Sequence, residues 1–120
     1  MKKVIILKGL PASGKSTYAK KLLDENSSRY VRVNKDELRA MCHNSKWSPR
    51  NEELILNIRD FIITKALENG QHVIVDDTNF AEKHQARIRQ LVKGLAEVEV
   101  KFFDVDVEEC IERDSKRNRK

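Results

Sequence analysis

The chain has 120 residues, 39% of them hydrophobic and 36% charged, with a formal net charge of +5. That length holds one domain able to bury a core without disulfides or metal, and no apolar run approaches the ~18 residues of a membrane span. Cys42 and Cys110 form no Cys-x-x-Cys pair, which argues against zinc and against a disulfide-stapled fold and points to a reducing cytoplasm.

Lys3 to Lys8 reads as a buried strand rich in β-branched residues, closed by Gly9. The apolar run after Lys2-Lys3 is too short for a signal peptide and leads straight into a glycine-rich stretch. Gly14 to Leu23 reads as a helix, Tyr30 to Val33 as a short strand, and Lys35 to Met41 as a helix capped by Asn34. Pro49 to Glu68 is a long helix, because Leu54, Ile55, Ile58, Phe61, Ile62 and Ala66 recur at three and four residues, with Gly70 as its C-terminal stop. A strand over His72–Val75, a helix over Ala81–Val92, a strand over Val98–Phe103 and a helix from Val107 to about Arg117 complete the chain. Strand and helix alternate, so the expected class is α/β: one domain over 1–120, a three-layer sandwich around four parallel strands in the order 2-3-1-4. The first strand is then central, beside the point where the strand order reverses and ligands bind.

Gly9-Leu10-Pro11-Ala12-Ser13-Gly14-Lys15-Ser16 matches the phosphate-loop pattern, with a strand before it and a helix after it. Backbone N–H groups from Gly9, Ala12, Ser13 and Gly14 would face an anion at a helix N-terminus. Lys15 supplies charge to the β- and γ-phosphates of ATP, Ser16 a hard oxygen for Mg²⁺, and Thr17 a hydroxyl for the α-phosphate. This motif binds nucleotide and leaves the acceptor open: water or a hydroxyl.

Three further groups bear on the acceptor. Asp36 and Glu37 follow the second strand, where a kinase needs a carboxylate to take the hydroxyl proton, and Arg39 shares a helical face with Asp36. Acidic residues in a first helical turn are also favourable for the helix alone. Asp76-Asp77 ends the third strand as a metal-holding acid would, with Asp77 expected beside Ser16. Asp77-Thr78-Asn79 equally suits a helix cap. Arg113 and Arg117, four apart, can share one helical face toward a migrating phosphoryl group, or belong to a solvated basic tail. His43, His72 and His84 show no ligand spacing, and Trp47 reads as a packing or loop residue rather than a base-stacking platform.

Taken together, Gly9–Thr17, Asn34–Arg39, Asp77–Asn79 and Phe103-Asp104-Val105 leading to Arg113–Arg117 resemble the kinase domain of the phage-type polynucleotide 5′-hydroxyl kinases over nearly all 120 residues. The resemblance implies transfer of the ATP γ-phosphate to the 5′-OH of RNA or DNA. Lys15 and Ser16 fall on the nucleotide and Mg²⁺ contacts, Asp36 on the general base, and Arg39 on the contact to the acceptor's 3′-phosphate. Asp77, Thr78 and Asn79 fall on the family's Asp-Thr-Asn motif, Thr78 and Asn79 on the acceptor side. Arg117 and Arg113 fall on a lid over the donor phosphates, at about 107–120. Lys35 stands where that family has arginine, Asp76 adds an acid, and no Asp-x-Asp-Gly-Thr phosphatase motif occurs. The chain ends about where the family's lid folds back. A small-metabolite or tRNA-linked kinase, or a nucleotide-binding module with an incomplete lid, is the alternative reading.

Overall fold

The structure, a computed structural model, describes residues 2–9, 14–77 and 82–103. Eight elements follow in order: β1 (Lys3–Gly9), α1 (Lys15–Asn26), β2 (Tyr30–Val33), α2 (Lys35–His43), α3 (Pro49–Glu68), β3 (His72–Val75), α4 (Glu82–Leu91) and β4 (Glu97–Phe103). The helix expected over 107–117 lies outside the described residues. All three strand pairings are parallel, in the order β2-β3-β1-β4, as the alternating pattern requires.

Val4, Ile6, Val33, Val73 and Val75 face one way and meet Leu38 of α2, Ile55, Ile63 and Leu67 of α3, and Ile88 of α4. Ile5, Leu7 and Ile74 face the other way and meet Ala19 of α1, with Tyr18 and Leu22 beside it. The period-two alternation of a strand thus splits consecutive apolar residues between two helical layers. Burying each of the large side chains contributes about 1.5–3 kcal/mol.

The helix ends carry their own signals. The Asn34 side chain accepts the Glu37 N–H at 2.9 Å, and the Ser48 hydroxyl accepts the Asn51 N–H at 3.0 Å with Pro49 in the first turn. At the end of α3, Gly70 takes φ 80°, its N–H bonds Leu67 O and the Gln71 N–H bonds Ala66 O, both at 3.0 Å. That paired arrangement places glycine where a Cβ would be strained. Among the described residues no helix is long and apolar enough to cross a membrane.

Candidate active site

Gly14 enters α1 at φ 98°, a left-handed conformation that suits glycine and lets the chain turn from β1 into the helix. Lys15, in the first turn of α1, is 4% exposed, and its Nζ donates to the carbonyl oxygen of Asp77 at 2.6 Å. Burial pushes the ammonium pKa below its ordinary value, while the carboxylates of Asp76, Asp77 and Asp36 oppose that shift. An ammonium has three N–H groups, so two remain for phosphate oxygens. Ser16 and Thr17 follow on the exposed first turn, and Gly9 closes β1. Ala12, Ser13, Thr78, Asn79, Arg113 and Arg117 lie outside the described residues.

The two acids after β3 divide between the faces of the sheet, and here the geometry departs from the expectation that Asp77 stands beside Ser16. Successive side chains leaving a strand point opposite ways. Asp76 continues on the side of Ile74, toward α1, and its Oδ2 accepts from the Ser16 hydroxyl at 3.1 Å. Asp77 continues on the side of Val75, toward α2 and α3, and its Oδ1 accepts from the Lys35 N–H at 2.8 Å. Burial raises the Asp77 pKa, against that hydrogen bond and the charges of Lys35 and Arg59.

Arg32 of β2 fixes Asp76 from below, with Nε 2.9 Å from Oδ2, and its Nη1 reaches Glu37 Oε2 at 2.7 Å. Asn34 links the same strand ends by donating to the Asp76 carbonyl. Asp76 Oδ1 is buried without a hydrogen-bond partner, beside a hydroxyl and a second carboxylate oxygen. This donor set suits a hard divalent cation held by one or two protein oxygens plus phosphates and water. No cluster of three or more His, Cys, Asp or Glu side chains among the described residues could cage a metal unaided.

On the α2 side, Asp36 and Arg39 meet as their spacing predicts, Arg39 Nη1 donating to Asp36 Oδ1 at 2.7 Å. Arg39 is also forked onto Glu52 of α3, through Nε at 2.8 Å and Nη2 at 2.6 Å. A guanidinium has five N–H groups, so one on each terminal nitrogen remains for an incoming anion. The Arg39 hydrogen bond holds the Glu52 carboxyl below the usual carboxylate range. Beneath this pair sit two buried cations, Lys35 and Arg59. Arg59 bonds Asp60 Oδ1 at 3.0 Å, Arg87 of α4 bonds Asp60 Oδ2 at 2.8 Å, and Arg59 Nη1 lies 4.0 Å from Asp77 Oδ2.

Arg32, Glu52 and Arg59 escaped the sequence reading. Arg59 carried a signal, a charge four residues from both Ile55 and Ile63 inside the buried stripe of α3. Glu52 carried none, since its partner is 13 positions away on another helix.

Residues 4–120 match the family described as AAA domain. The chain belongs to that family. Its fold is that of the P-loop kinases. A chain of the Pnkp1/Rnl/Hen1 RNA repair complex superposes with a TM-score of 0.82 and is 35% identical, over 97% of this chain and 37% of that one. The APS kinase CysC of Mycobacterium tuberculosis, in complex with AMPPNP and APS, superposes with a TM-score of 0.70 at 26% identity, over 98% of this chain and 71% of that one. The L-seryl-tRNA(Sec) kinase of Methanococcus maripaludis is 34% identical over 94 residues, 75% of this AAA-domain chain and 36% of that protein. The chain therefore spans little more than a third of the curated relative's length.

Proposed function

We propose that the protein is an ATP-dependent kinase that phosphorylates the 5′-hydroxyl of RNA or DNA in the cytoplasm. One observation carries the reading. Asp36, whose charge bears on that of Lys15, is hydrogen-bonded at 2.7 Å to an arginine with two N–H groups open. A carboxylate bonded to an arginine at the start of the helix after β2 suits an acceptor with both a hydroxyl and a phosphate. The likeness to a chain of the RNA repair complex supports the polynucleotide.

In this mechanism Lys15 holds the β- and γ-phosphates at the start of α1, with the backbone of Gly9, Ala12, Ser13 and Gly14 around them. Thr17 contacts the α-phosphate. Asp36 takes the proton of the 5′-hydroxyl, the freed oxygen attacks the γ-phosphorus in line, and the bond to ADP breaks. Arg39 holds the acceptor's next phosphate, which aligns the nucleophile; Thr78 and Asn79 complete the acceptor side. Arg113 and Arg117 neutralise the migrating group, with Arg117 also on the donor nucleotide. Mg²⁺ would be held at Ser16 and would supply charge neutralisation to the donor phosphates. Asp76 fits as its acid, and Asp77, assigned from the Asp-Thr-Asn resemblance, fits better as the residue that seats Lys35 and the start of α2.

A second reading has a specific support, the 34% identity to an L-seryl-tRNA(Sec) kinase. There the same Asp36 would activate a hydroxyl carried on tRNA. An acceptor screen with radiolabelled ATP separates the two. Label on 5′-OH oligonucleotides establishes the first, label on an aminoacyl-tRNA hydroxyl the second, and label found only in free phosphate overturns both.

A further inference from the structure

Trp47 is the only tryptophan in the chain, and it lies 67% exposed on the connection between α2 and α3. An indole left in water is unusual, and here it is not on a loose segment. Asn44 and Ser45 both adopt left-handed conformations, φ 52° and 63°, held by hydrogen bonds from Asn44 N to Ala40 O at 3.2 Å and Ser45 N to Arg39 O at 2.9 Å. The Lys46 N–H bonds His43 O at 3.0 Å, and the Lys46 carbonyl accepts from Asn51 Nδ2 at 3.0 Å. Such backbone conformations persist where surrounding bonds over-determine them.

The connection is tied to Arg39 at both ends. Its first part bonds the Arg39 backbone carbonyl, and the helix that follows it places Glu52 on the Arg39 guanidinium. Lys46 and Arg50, on either side of Trp47, are exposed and form no ion pair among the described residues. Asp36, Arg39 and His43 recur at three and four residues along one face of α2. That face runs from the site of transfer toward the connection, an advance of about 10 Å.

We propose that residues 44–48 and Arg50 bind the acceptor strand beyond its first nucleotide, with Trp47 stacking on a base and Lys46 and Arg50 meeting phosphates. The proposal rests on the polynucleotide reading and deepens it. An exposed aromatic flanked by cations is the combination that binds single strands without reading sequence, since every base offers a π-face and every linkage a charge. It gives the protein a reason to prefer strands over mononucleotides, which Arg39 alone does not.

The test uses the full chain and its single indole, whose emission reports Trp47 alone. Single-stranded 5′-OH oligonucleotides of one to eight nucleotides are titrated without ATP, and kcat/KM is measured on the same series with ATP. Oligonucleotides of three or more nucleotides are expected to quench emission, and a nucleoside 3′-monophosphate is not. The ratio of kcat/KM between the octamer and the nucleoside 3′-monophosphate should collapse by about tenfold to a hundredfold in Trp47→Ala and largely survive in Trp47→Phe. Lys46→Ala and Arg50→Ala should each flatten the salt dependence of octamer binding by about 0.7 in log–log slope. Oligonucleotides that are phosphorylated without quenching, with the length ratio intact in Trp47→Ala, would overturn the strand site and leave the kinase reading standing. Quenching by oligonucleotides that never accept phosphate would support the strand site and overturn the acceptor assignment. Neither quenching nor transfer would overturn both.

Discussion

The two sides of the β3 end are built by different means. Toward α1, Lys15 and Ser16 come from one run of eight residues whose main chain a glycine turn and a helix start set in place, and their side chains then meet the Asp77 carbonyl and the Asp76 carboxylate. Toward α2 and α3, Arg39 is joined to Glu52, 13 residues away, and Asp77 to the Lys35 backbone, 42 residues away. The proposed donor side thus takes its main chain from a local motif, whereas the proposed acceptor side rests on pairing between segments distant in the sequence. Substitutions on the proposed donor side and at the exposed Asp36 should act on activity with little effect on stability, and those that break the Arg39–Glu52 or Asp77–Lys35 pairing should act on both.

The largest effect expected is at Asp36, whose side chain is 52% exposed and so contributes little to stability. Asp36→Asn should lower kcat by about 10²–10⁴-fold, the usual worth of a general base, while ATP affinity holds. Near-normal turnover in this variant beside an inactive Glu37→Gln would move the base to Glu37. Lys15→Ala should lower kcat/KM by about 10²–10³-fold, the scale of one lost electrostatic contact to the reacting group. If its turnover stays within about tenfold of the parent, a loss of barely 1.4 kcal/mol, the phosphate role is lost. Lys15→Ala melting several degrees lower would break the contrast between the two sides.

Arg39 tests the acceptor side directly. A nucleoside 3′-monophosphate should outperform the unphosphorylated nucleoside, and Arg39→Ala should erase most of that preference, worth about 1.5–3 kcal/mol for a charge-assisted bond. The readout is kcat/KM for both acceptors with both enzymes. Equal losses on the two acceptors would separate Arg39 from the phosphate and favour an acceptor without one.

What was legible in the sequence follows the same division. The cap at Asn34 and the stop at Gly70 follow from signals within a few residues, and the strand order from the alternation of elements along the chain; each stands in the fold. The Asp36–Arg39 contact is likewise a spacing rule within one helix. The side on which Asp77 lies was open to the same parity argument that puts Val75 on α3 and Ile74 on α1, but a motif resemblance names residues without saying which way each points. The pairing of Arg39 with Glu52, and of Asp60 with Arg87, joins helices whose relative placement only the packed core determines.

Glu52 carries the smallest effect and the sharpest statement of the contrast. Its carboxyl is mostly buried and is held below the usual carboxylate range chiefly by the Arg39 hydrogen bond. A depressed folded-state pKa contributes stability that is fully present above the unfolded value, about 4.3, and is lost as pH falls through the folded value. Glu52→Gln removes the charge and one of the two acceptor oxygens of the fork, so it should cost about 1–2 kcal/mol at pH 7, toward the low end for hydrogen bonds to charged groups. The parent loses the same interaction when Glu52 protonates, so the gap between parent and variant should narrow as pH falls below the ordinary carboxylate value and close once it has passed below the folded value. Denaturant melts of both proteins at several pH values measure that gap. A gap near zero at every pH would show that the α2–α3 pair is held by apolar packing through Leu38 and Ile55, with the Arg39–Glu52 fork adding orientation and no net stability.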